Sequence, residues 1–154
     1  MPILCTDTRA RRLAGAALLA LPLAALAQNE GGLYIADQQF AFERVAQRAL
    51  AANPNGQRFF VLAVPPQTAA MTRNAPADLA ALRERVAAAN GELLVCERDV
   101  KSGALGGTLA PGVIAVRGFT SALGPDQRYY PDENPDKLPV SVEALRRLRA
   151  TCSS

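Results

Sequence analysis

Three residues stand where this chain could do chemistry: Cys96, Arg98 and Cys152. Cys96 closes the apolar run Glu92-Leu93-Leu94-Val95, and Glu97-Arg98-Asp99 follows at once. An ionised thiol at such a point is a nucleophile, and a neighbouring guanidinium such as that of Arg98 favours the thiolate. Glu97 and Asp99 oppose that shift, which leaves its net sign open. A buried cysteine also packs as a small inert hydrophobe. A third fate is a disulfide with Cys152, whose long loop would bring about 4 kcal/mol by the chain-entropy argument. Reacting, packing and pairing all remain open at this level.

The rest of the composition excludes much. None of the 154 residues is histidine, which removes the commonest general base and metal ligand and any Ser-His nucleophile pair. No Cys-x-x-Cys occurs, against a self-contained dithiol oxidoreductase. Gly103-Ala104-Leu105-Gly106-Gly107 departs from the dinucleotide-binding spacing. Asp132, Glu133 and Asp136 lack the spacing of a calcium-binding loop and read as a solvated acidic stretch. No cofactor and no metal are expected.

The N-terminus reads as a targeting signal. Arg9, Arg11 and Arg12 precede an apolar run from Leu13 to Leu26, and Ala25-Leu26-Ala27 supplies small residues for cleavage before Gln28. The run falls short of the roughly 20 residues of a membrane span. Residues 1–27 are therefore expected to be removed, leaving a periplasmic protein with no stable membrane anchor. Removal takes three arginines and Asp7 and leaves 14 basic and 13 acidic residues. So small a surplus does not argue for nucleic acid. It also leaves two cysteines, Cys96 and Cys152, in a compartment where disulfides persist.

The elements that position Cys96 follow from periodicity. Leu33-Tyr34-Ile35-Ala36 is a brief strand. The spacing of Phe42, Val45, Ala46, Ala49 and Leu50 predicts an amphipathic helix over 38–52, with Asp37 as its cap. Arg58 to Val64 is a continuous apolar run, as in a strand buried on both faces. A polar loop over 67–75 leads to a second helix, with Leu79, Leu82 and Val86 on one face and Asn90-Gly91 as its stop. Glu92 to Cys96 is the third strand and Val113 to Val116 the fourth. Between them the glycine-rich stretch from Val100 to Gly112 predicts at most a weak helical turn. An irregular loop over 124–139 precedes a C-terminal helix capped by Ser141, with Val142, Leu145, Leu148 and Cys152 inward and Arg146, Arg147 and Arg149 solvated. Strands alternating with helices give one α/β domain over 28–154, three-layered, with a mainly parallel sheet of four to five strands. Asp37, Pro65 and Cys96 then fall at strand carboxyl ends, where ligands collect in open sheets.

From Leu33 to Phe119 the chain resembles the DsrE/DsrF-like sulfur-relay family, in its secreted form. The matching residues are Asn90-Gly91-Glu92-Leu93-Leu94-Val95-Cys96 and Leu109-Ala110-Pro111-Gly112-Val113-Ile114-Ala115-Val116. The resemblance implies a small α/β fold, Cys96 as the residue that binds or relays sulfur, and assembly into homo-oligomers. The region after Phe119 departs from that pattern. Its stretch from Glu133 to Arg149 resembles exported accessory proteins of integrating conjugative elements, which implies a non-catalytic role with an unidentified protein partner.

Overall fold

Phe59, Phe60, Val61, Leu62 and Ala63 are all fully buried in succession. Consecutive side chains of a strand point to opposite faces, so both faces of the sheet must be covered. The structure, a computed structural model, describes residues 30–119 and 135–153. Strands β1 (Glu30–Ala36), β2 (Arg58–Ala63), β3 (Gly91–Cys96) and β4 (Val113–Val116) form one all-parallel sheet in the order β1-β2-β3-β4. Helices α1 (Phe42–Ala52) and α2 (Ala77–Ala88) cover one face, packing Phe42, Val45, Ala49, Leu82 and Val86 on Phe59, Val61 and Val95. Helix α4 (Val142–Thr151) covers the other, where Leu148 and Cys152 meet Leu33, Phe60, Leu62, Leu94 and Cys96. The expected three-layer α/β domain is what the chain forms, with four strands among the described residues.

Several local expectations are corrected. Helix α1 starts at Phe42, and Asp37 does not cap it. The Asp37 Oδ1 instead accepts from Gln39 N at 2.8 Å and Phe40 N at 2.9 Å, closing a turn ahead of the helix. Phe42 N donates to Gln67 Oε1 at 3.0 Å, a partner 25 residues away. The polar loop after β2 contains a 3-10 turn at Gln67–Met71 that buries Thr68, Ala70 and Met71. Helix α3 (Glu97–Lys101) follows Cys96 directly, where no helix was expected, while residues 102–112 of the glycine-rich stretch form no further helix, as expected.

At the α2–β3 junction Asn90 takes the positive φ of 67° and Gly91 opens the strand. A Cβ on Gly91 would lie 2.6 Å from both Phe59 Cζ and Val86 Cγ1, so close packing, not turn geometry, requires glycine here. On α4, Ser141 Oγ accepts from Ala144 N at 3.4 Å as expected. Val142, however, is 59% exposed, and Arg149, expected in solvent, is 2% exposed. Its Nη1 donates to the carbonyl of Arg117 at 2.9 Å. Of the irregular loop, residues 124–134 lie outside the described residues, as does the expected targeting segment 1–27. In the described part of the loop, Pro135–Lys137 is a 3-10 turn and Leu138 joins the α4-side core.

Candidate functional site

Cys96 is the last residue of β3 and Cys152 the residue that ends α4. Their sulfurs are bonded, with Cα atoms 5.1 Å apart, and the residues are 0% and 3% exposed. Of the three fates open to Cys96, the structure shows pairing. Arg98, placed by sequence beside a thiolate, turns to the chain end: it donates to the Ser153 carbonyl and lies 3.5 Å from Asp99 Oδ1. In this state Cys96 carries no free thiol for it to stabilise.

The bond sits inside a knot of short contacts between the exit of β4 and the last turn of α4. Phe119 N donates to Ser153 Oγ at 3.0 Å, and Ser153 Oγ donates to Arg149 O at 2.9 Å. Gly118 lies so close to this turn that a Cβ there would be 2.2 Å from the carbonyl carbon and oxygen of Cys152. Beside it Glu97 accepts from Arg117 Nε at 2.9 Å and pairs with Lys101 Nζ at 3.0 Å. Burial works against the Glu97 charge, but hydrogen bonds and attraction from Lys101 and Arg117 outweigh it and hold the carboxyl below its ordinary value. A depressed folded value makes the contribution full above the unfolded value, near 4.5, and lost as pH falls through the folded one. Urea midpoints measured from pH 6 to pH 3 should therefore decline on the acid side, and the decline should be shallower in Glu97→Gln.

The carboxyl edge brings Asp37, Pro65 and Cys96 into line on successive strands, as expected. It does not give them a crevice. Binding clefts in open α/β sheets form where the strand order reverses, and β1-β2-β3-β4 has no reversal. Asp37 is spent on its own turn, the Pro65-Pro66 bond is cis, and Cys96 is bonded. Among the described residues no group of three Cys, Asp or Glu side chains is placed to hold a metal ion, and no helix is long and apolar enough to cross a membrane. Asp132 and Glu133 lie outside the described residues.

What sequence reasoning missed is at the opposite end of the strand order. A groove of about 410 Å³ runs along β1, floored by Leu33 and Ile35 and flanked by Arg44 and Arg48 of α1 and Arg147 of α4. The four-residue spacing of Arg44 and Arg48 signalled a shared helix face, but only strand order shows that this face overhangs an edge. Comparison with protein-family models, curated proteins and solved structures finds no match to this chain.

Proposed function

We propose that this chain is an exported, partner-binding domain in which the Cys96–Cys152 bond is a structural staple and not a reaction centre. The observation that carries the reading is the bond itself: it joins β3 to α4 and is shut away from solvent. A disulfide of this kind persists in an oxidising compartment, in keeping with residues 1–27 as a cleaved signal. The fainter resemblance to conjugative-element proteins supports a partner in a transfer apparatus, and transfer genes beside this gene would strengthen that assignment.

A second reading, sulfur relay of the DsrE-like kind, is favoured by the place of Cys96 at a strand carboxyl end, with Arg98 two residues on and Arg117 next to Val116, its partner on β4. The bond itself would supply the oxidising equivalents. A hydrosulfide anion attacks the Cys96 sulfur, the bond to Cys152 breaks, Cys152 leaves as thiolate, and Cys96 keeps the added sulfur as a persulfide. Intact-mass measurement separates the two readings. The oxidised protein incubated with sulfide, and the reduced protein incubated with a persulfide donor, should both keep their mass. Gain of one sulfur atom on Cys96 in the folded protein would sink the staple reading and establish the relay.

A further inference from the structure

Strand β1 is an edge of the described sheet, and the outward backbone groups of its Leu33 and Ile35 have no partner among the described residues. Ala36 O accepts from Val64 N, so the Ala36 and Tyr34 peptide groups face β2, and those of Leu33 and Ile35 face outward. The flanks of this edge are built. Tyr34 packs into the core under α1, while Leu33 and Ile35 pack on the α4 side, so a helix stands on each face of the open strand. Glu30 fixes one flank by accepting from Val140 N and Ser141 N at the start of α4. The turn closed by Asp37 fixes the rim and leaves Phe40 44% exposed at the mouth of the groove.

The charge of the groove has one sign. Arg44, Arg48 and Arg147 are exposed, line it together, and make no ion pair with any described carboxylate. Edge strands are commonly guarded by charges on the strand itself, which repel a second strand. Here the strand presents Leu33, Tyr34 and Ile35, and the arginines stand on the flanking helices, lining the same groove.

We infer that β1 is a docking edge for an extended acidic segment of a partner protein, which adds to the sheet as a fifth strand. Its backbone pairs with Leu33 and Ile35. Carboxylates on its α1 side meet Arg44 and Arg48, and apolar side chains between them cover Ile35 on the α4 side. This inference deepens the partner-binding reading and rests on it.

Fluorescence anisotropy with the full chain, disulfide intact, and a labelled ten-residue peptide of alternating glutamate and valine tests the proposal. Saturable binding is expected, weakening as salt is raised. Arg44→Glu with Arg48→Glu, both exposed positions, should weaken it roughly tenfold or more. The decisive probes are two peptides N-methylated on every second amide in opposite phases. The phase that removes the donors facing β1 should abolish binding, and the other should retain it. Equal binding of both phases would reduce the groove to charge attraction and overturn the strand-addition proposal. Failure of the parent peptide to bind would overturn it too, as would a dimer in sedimentation that excludes the peptide, since a second copy would then hold the edge. None of these outcomes touches the sulfur-uptake measurement, so the groove and the staple stand or fall separately.

Discussion

Loss of the Cys96–Cys152 bond is expected to lower the stability of the domain by about 4 kcal/mol. The magnitude follows from its sequence separation of 56 residues, a large loop whose closure no longer restrains the unfolded chain. Against the 5–15 kcal/mol typical of whole domains (about that range), the loss is a major fraction. The measurement is a denaturant titration of the oxidised wild type beside Cys96→Ala/Cys152→Ala, which removes both thiols and so leaves no odd cysteine to form dimers. A difference below about 1 kcal/mol would mean that the α4 turn is held by its hydrogen bonds and by Leu148 alone, and would remove the staple from the functional account.

The second large effect is expected at Gly118. Its missing Cβ is what lets the exit of β4 pass under the final turn of α4, where the atoms in the way are backbone atoms of Cys152 and Ser153. Backbone that is hydrogen-bonded to Leu148 and Ala150 cannot rotate aside as a side chain would. Gly118→Ala should therefore destabilise by about 2–3 kcal/mol, at the upper end of overpacking effects. The same substitution in the Cys96→Ala/Cys152→Ala background should cost less, because an unbonded α4 end can lift away. A double-mutant cycle with denaturant midpoints reads this coupling, and strict additivity would show that the turn stays seated without the bond.

These two sites also mark how far the amino-acid pattern alone can be read. Strand β4 appears in the sequence with the bounds it has in the structure, and α4 begins after Ser141 as its hydroxyl suggests. Both are local matters of alternation and capping. Asp37 does not cap α1, because a carboxylate before a helix can serve the helix or its own turn, and Gln67 takes the amide of Phe42 from 25 residues further on. Arg149 carries a charge and lies on a helix of arginines, yet it is buried, because a carbonyl 32 residues earlier waits for it. Gly118 has no neighbour in sequence that marks it out, because the backbone it must clear lies 34 residues further on. The pairing of Cys96 was one of three open fates because the distance between two thiols belongs to the packing of α4 and not to the chain between them. The groove on β1 was invisible for a similar reason: no residue in it is unusual, and only the strand order makes an edge of it.

The dependence of the sheet on α4 sets the order in which the protein can be completed. The face carrying Phe60, Leu62 and Leu94 is covered by Leu138, Leu148 and Cys152, all from the end of the chain. Domains generally fold as units. The first two helices bury only one side of this sheet, and its reverse has no cover without α4. Closure waits for the C-terminal turn to emerge, seat against Gly118 and meet an oxidant. A chain whose sheet cannot close until α4 arrives keeps one apolar face open until then, and Cys96 and Cys152 come within bonding distance only in the closed state.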